Sequence, residues 1–211
     1  MSPQSERELD RAFDELVARF GHGDDVAAAR AGWAERTGRV FEEDELYEQR
    51  TISFVEWYAC EHRLADGRTP VVVALAEPEG EHHAAWRAWR ASHRSLYAVA
   101  ARREGVVVLD DLVGQGRFAV DERRRLHGVH VGDVIEARLL GWRGRVRFGR
   151  TFCFHPAAAL KAIVEHVRRI LGAGGTRADA VDFVASLRVR ALRYKHVLPE
   201  RVYEAREPRK P

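Results

Sequence analysis

Lysine is nearly missing from this chain. Of 35 basic residues only Lys161, Lys195 and Lys210 are lysines; the rest are arginines. With so much alanine, glycine and valine alongside, GC-rich coding is a sufficient cause, so arginine choice alone does not argue for phosphate binding. Cysteine is equally sparse. Cys60 and Cys153 are the two in the chain, which excludes a disulfide framework and a four-cysteine zinc site and points to a reduced, cytoplasmic setting. No run of about 18 apolar residues is present, so no membrane span is expected. The opening MSPQSERELD has no apolar core and does not read as a secretory signal. GxSxG, HExxH and CxxC are all missing, so the common nucleophile and zinc-hydrolase signatures have no footing here.

What is present is a chain of 211 residues, 45% apolar and able to bury a core. Its formal charge of +3 hides an asymmetry. Residues 1–100 carry 12 Lys+Arg against 19 Asp+Glu, and residues 101–211 carry 23 against 13. A basic half invites a nucleic-acid reading.

Periodicity divides the chain. Residues 5–20 read as an amphipathic helix with Ser5 as N-cap and Glu8 completing a capping box; Leu9, Phe13, Leu16, Val17 and Phe20 fall on one face. Helices are expected at 25–37, at 51–65 and at 84–95, where Trp86 and Trp89 share a face. Residues 71–76 stay open between strand and helix: three consecutive valines favour a strand, Pro70 a helix start. From residue 96 the period becomes two. Five short strands, at 96–102, 105–109, 116–120, 131–140 and 145–154, predict a small antiparallel barrel-like sheet. Pro156 opens a helix with Leu160, Ile163, Val164, Val167, Ile170 and Leu171 inward and Gly172 as its terminating glycine. Thr176 and Asp179 open another, running to about 195. The expected fold class is α+β: a helical part at 1–95, a barrel at 96–155, a helical pair at 156–198 and a tail at 199–211 whose last six residues, REPRKP, are disordered, all in one compact unit.

Six segments, Phe54-Val-Glu-Trp-Tyr58, Asp66-Gly-Arg-Thr-Pro70, Ser95-Leu-Tyr-Ala-Val99, Leu109-Asp-Asp-Leu-Val-Gly114, Phe118-Ala-Val120 and Gly132-Asp-Val-Ile-Glu-Ala-Arg-Leu139, follow one another in that order. Over roughly residues 50–156 the series resembles the core of uncharacterised bacterial proteins, some of which carry a C-terminal SEC-C zinc module. The SEC-C cysteines are absent here, and the resemblance implies architecture with no catalytic residues.

The candidate binding residues are two arginine clusters. In the first, Arg143, Arg145 and Arg147 share one parity of a strand, with Arg150 just beyond and Trp142 as the ring able to stack on a base. The second is Arg188, Arg190, Arg193 and Lys195, late in the last helix, where positive charge also complements the helix dipole. Within 131–140 the alternation predicts Ile135, Ala137 and Leu139 inward and Glu136 and Arg138 on a solvated face. Scattered metal-ligand candidates (Glu56, Cys60, Glu61-His62; His82-His83; His127 and His130) have no ligand spacing, and no metal or cofactor is expected. Asp110-Asp111 reads as a turn. The expected function is a non-catalytic binding protein that contacts nucleic acid through the basic barrel face and last helix. The alternative is a protein-interaction module using the acidic residues 41–48, and a hydrolase of unknown type is the more distant one.

Overall fold

The computed structural model describes residues 3–122, 128–194 and 196–204. Eight helices and five strands lie in these segments. The first helix, α1 (Pro3–Phe20), starts ahead of the expected cap at Ser5 and buries Leu9, Phe13 and Leu16. Helix α5 (His83–Arg90) lays Trp86 and Trp89 against it. Their indole N–H groups donate to Ala12 O at 2.7 Å and Leu9 O at 3.3 Å, so both rings are buried with their one polar atom satisfied. Between these helices stand α2 (Asp24–Thr37), α3 (Tyr47–Cys60) and α4 (Pro70–Leu75). Residues 71–76 are thus helical apart from the last: Pro70 presets the first turn after an extended Thr69, and Val71 and Ala74 are fully buried. Helical packing outweighs valine's preference for strands.

The strands are β1 (His93–Arg103), β2 (Val106–Asp111), β3 (Arg117–Asp121), β4 (Val134–Trp142) and β5 (Arg145–His155). They form one mixed sheet whose hydrogen-bonded order, β1-β2-β3-β5-β4, returns from β4 to β1. The expected all-antiparallel arrangement is corrected at one place: β3 runs parallel to β5, pairing at Val120 and Val146. Tyr97, Val99, Val107, Leu109, Val120, Ile135, Ala137, Leu139 and Phe148 fill the interior.

After β5 a short 3₁₀ turn (Ala157–Ala159) leads into α6 (Leu160–Gly172). Leu171, expected inward, is exposed; the terminating glycine is Gly174, at φ 85°, because the Gly175 N–H reaches back to Ile170 O at 2.9 Å. Helix α7 (Arg177–Arg193) begins with the expected capping box of Thr176 and Asp179. The expected tail from 199 is instead a third C-terminal helix, α8 (Pro199–Glu204). Its Val202 and Tyr203 join the core shared by α6 and α7, and the Tyr203 hydroxyl lies 2.9 Å from His155 Nδ1. Residues 205–211, which include the REPRKP stretch expected to be disordered, lie outside the described residues.

The outward side of β4 positions everything that follows. Val134, Glu136, Arg138, Leu140 and Trp142 all point away from the sheet interior, and all five are buried. Val134 meets the α6–α7 core, and Leu140 and Trp142 meet α1 and α5. The expected inward set of Ile135, Ala137 and Leu139 holds, but the solvated face expected for Glu136 and Arg138 does not exist. Helices cover this outer side of the strand, and its other side faces the sheet interior.

Candidate functional site

Two charges buried under helices need partners, because an unpaired ion inside a protein is expensive. Glu136 accepts from Arg50 Nη1 of α3, at 3.2 and 3.1 Å to its two oxygens, and lies 3.8 Å from Arg94 Nε of β1. Arg94 also binds Asp182 of α7, which takes a second arginine, Arg36 of α2, at 2.9 Å. Arg138 donates to Glu61 and, at 3.1 Å, to Ser92 Oγ, and lies 3.7 Å from Glu56. Burial pushes the Glu56 carboxyl up to about 7, against the opposing pull of Arg138 and of the Arg150 N–H donated to it. A chain of ion pairs therefore ties α2, α3 and α7 to the outer side of β1 and β4.

These contacts absorb several of the residues singled out as metal ligands. Glu56, Cys60 and Glu61 surround Arg138, and burial pushes both thiols, Cys60 and Cys153, up to about 11, away from the thiolate. His62 lies 3.1 Å from Asp25 Oδ2, which also accepts from the Tyr58 hydroxyl at 2.8 Å. His83 accepts from the Gly80 N–H at 2.9 Å. His127 lies outside the described residues. Asp111 is a turn organiser: it accepts from Ser95 Oγ at 2.5 Å and from the N–H groups of Val113 and Gly114 at 2.9 Å. Its neighbour Asp110 pairs across the strands with Arg117.

The first arginine cluster does not line one open face. Arg143 and Arg145 are exposed, Arg143 over the Trp142 ring at 5.2 Å and paired with Glu8 of α1, Arg145 paired with Asp121 at the end of β3. Arg147 is buried, and so is Trp142, beneath α1 and α5, where it has no free face for a base. Arg150 pairs with Asp14 of α1. The second cluster meets a different set of acids. Arg188 donates to Phe154 O at 2.9 Å and to Glu45 at 2.8 Å; Arg193 grips both oxygens of Asp44 at 2.5 and 2.6 Å. Arg190 is half-buried, and Lys195 lies outside the described residues. Of the named arginines, Arg150 and Arg188 line one crevice of about 350 Å³. The acidic N-terminal half and the basic C-terminal half are thus partners within one chain. Among residues 41–48, Asp44 and Glu45 serve this pairing, while Glu42 and Glu43 are exposed.

A larger cavity, of about 700 Å³, lies between α2, the segment 38–46 and α3. Trp33 and Arg50 line it, and sequence reading singled out neither. Nothing in the local pattern marks Arg50: it sits in an apolar helix, and its meaning comes from Glu136, 86 residues away. No helix is long and apolar enough to cross a membrane among the described residues.

No protein-family model, curated protein or solved structure matches this chain. The class the fold itself defines is an α+β protein built on a five-stranded mixed sheet.

Proposed function

We propose that the protein is a non-catalytic binding protein that holds single-stranded nucleic acid across one end of its sheet, with the sheet acting as a small barrel. The strand order carries this reading. The order β1-β2-β3-β5-β4, closed by β4 on β1 and with β3 parallel to β5, is that of the five-stranded Greek-key barrels called OB-folds. Such barrels bind oligonucleotides or oligosaccharides with the β2–β3 face and the β1–β2 and β4–β5 loops.

Here those loops are the turns at Glu104-Gly105 and Arg143-Gly144. They converge at the end of β3. Val106 pairs with Asp121, the Glu122 N–H donates to Gly105 O at 3.0 Å, and Arg145 pairs with Asp121. The turns bring exposed Arg102, Arg103, Arg143 and Arg145 to the same end. The β2–β3 face beside them exposes Arg117 and Ala119. An exposed ion pair is worth up to about 1 kcal/mol, so a phosphate can replace Glu8 at Arg143. In this reading Arg147, Trp142, Arg188 and Arg193 hold the fold, and the site narrows to the two turns.

The test is a titration with a labelled single-stranded oligonucleotide at about 50 mM salt, where even non-specific contacts register. Binding should fall steeply with added salt. Changing Arg102, Arg103, Arg143 and Arg145 together to Ala should flatten the slope of log K against log salt by roughly three units, at about 0.7 per phosphate contact. No binding of DNA or RNA at that salt would remove the reading. The interaction module, with Glu42 and Glu43 on its surface, would then be the one to pursue.

A further inference from the structure

Independently of the loops at the end of the sheet, we propose that α8 is a proton-operated latch. It docks on α6, α7 and the end of β5 at neutral pH, and it leaves them, ahead of global unfolding, when His155 takes up a proton. Tyr203 is the bolt of this latch. It is fully buried and held at both ends by histidines from two other elements. Its hydroxyl lies 2.9 Å from Nδ1 of His155, the last residue of β5, and its carbonyl oxygen lies 2.7 Å from Nε2 of His166 on α6. The rings of Tyr203 and His155 meet edge to face, with centroids 5.9 Å apart. Both histidines are buried.

A carbonyl only accepts, so His166 Nε2 carries a proton and donates it to Tyr203. Its Nδ1 faces the Arg169 Nη2 donor at 3.4 Å, and Phe183 packs on the ring at 4.9 Å. His155 meets Tyr203 with Nδ1, and its Nε2 has no hydrogen-bond partner among the described residues. A proton added to His155 makes both nitrogens donors, which leaves one N–H buried without an acceptor. The charges that act on this ring are cations, Arg188 of α7 and Arg50 of α3. Glu136 of β4 and the Cys153 thiol act on the Tyr203 hydroxyl instead, and Glu136 already serves Arg50 and Arg94. On α8 itself Glu200 is half-buried, and Arg201 pairs with Glu204 in solvent.

Burial, and after it the two guanidiniums, push His155 down to about 3 from an ordinary value of about 6.5. Above about 6.5 neither the docked nor the released ring binds the proton, and the latch has its full strength. Below that value the released ring is charged and the docked one is not, so docking weakens by about tenfold per pH unit until about pH 3. Size and attachment let α8 go alone. Six residues do not make a stable helix in water, so α8 depends on being docked. Val202 and Tyr203 are its two buried side chains, and the connection from α7 is open, with Val197 and Leu198 43% and 63% exposed. Such a unit opens at a lower free energy than the whole fold. Glu56 acts on the rest of the molecule in the opposite direction, because its stabilising effect grows as pH falls through about 7.

The test is hydrogen–deuterium exchange of the intact chain from pH 7.5 down to 5, read by mass spectrometry and corrected for the intrinsic pH dependence of amide exchange. Protection of the peptide spanning 196–204 should fall by about thirtyfold over that range, while peptides from β1 and β4 keep theirs. His155→Gln keeps an acceptor for the Tyr203 hydroxyl and cannot take a charge, so α8 should remain protected at pH 5. Tyr203→Phe keeps the ring and loses the hydroxyl; it should lower α8 protection by about fivefold at every pH and leave the pH slope in place. Equal protection of α8 at pH 7.5 and 5, loss of α8 and sheet protection together, or an unchanged slope in His155→Gln would overturn the proposal. If His155→Gln does not fold, the comparison of α8 with the sheet in the unaltered chain decides. None of these outcomes touches the oligonucleotide titration, so the two readings stand or fall apart.

Discussion

Strands β4 and β5 carry the same kinds of side chain outward and meet opposite fates. Glu136 and Arg138 of β4 are sealed under α3 and α7 and bound into a chain of ion pairs with Arg50, Arg94, Asp182, Glu56 and Glu61. Arg145 of β5 and Arg143 just before it stay in water and pair with Asp121 and Glu8. The chemistry is alike, but the dielectric is not. A buried pair is held because losing one partner strands the other without water, whereas an exposed pair gives back to solvent nearly what it takes. Charge on a strand therefore says little about its worth until the covering layer is known.

The largest effect should come from breaking the buried set. Glu136→Gln strands Arg50, leaves Arg94 with Asp182 alone, and should cost about 3–5 kcal/mol, read as a lower denaturant midpoint at unchanged slope. The double change Arg50→Met with Glu136→Met removes both charges, and most of that loss should return. If the single and double variants unfold alike, these ions are not coupled and the comparison with β5 fails.

Glu56 sharpens the comparison at the next level. Burial holds its folded pKa at about 7, while the unfolded chain titrates at the ordinary carboxylate value. Between the two, the folded state keeps a proton that the unfolded state has lost. The stability it contributes is complete below the ordinary value and disappears as pH rises through about 7. Glu56→Gln keeps an acceptor for the Arg150 N–H and should remove this decline. The variant should gain most above about pH 8, by up to roughly 3 kcal/mol. Unfolding curves from pH 5 to 8.5 measure it, and a parallel pH profile in the two proteins would rule out a titrating Glu56.

The smallest effect belongs to β5. Arg143→Ala and Arg145→Ala should each lower stability by no more than about 1 kcal/mol, and less in high salt. A loss above about 2 kcal/mol from either, measured by thermal unfolding, would make these pairs structural and erase the difference between the strands.

Much of the fold was legible from local pattern. The inward triplet Ile135, Ala137 and Leu139 follows from period-two alternation, and the Thr176–Asp179 box from capping chemistry, because both depend on residues a few positions apart. Alternation failed where it was asked about the other face. It reports that Glu136 and Arg138 oppose Ile135, and it is silent on whether water or α3 lies above them. The arginine row was misread for the same reason: period two puts Arg143, Arg145 and Arg147 on one side, but Arg147 is buried while the others are exposed. Trp142, read as a stacking ring, is core to α1 and α5.

Local pattern and composition suffice for the α+β class, the approximate positions of the five strands, the two helices after β5 and the charge imbalance between the halves. These rest on periodicity, capping and composition, which act over one or two turns. Folding in three dimensions is what pairs the two halves within the chain, through Asp44 on Arg193, Glu45 on Arg188, Glu8 on Arg143 and Asp14 on Arg150. The same holds for Arg50, which pairs with Glu136 while its guanidinium lies over the Trp33 ring. Electrostatic partners are chosen by distance in space, over separations of more than a hundred residues in the surface pairs, and no local pattern encodes a distance of that kind.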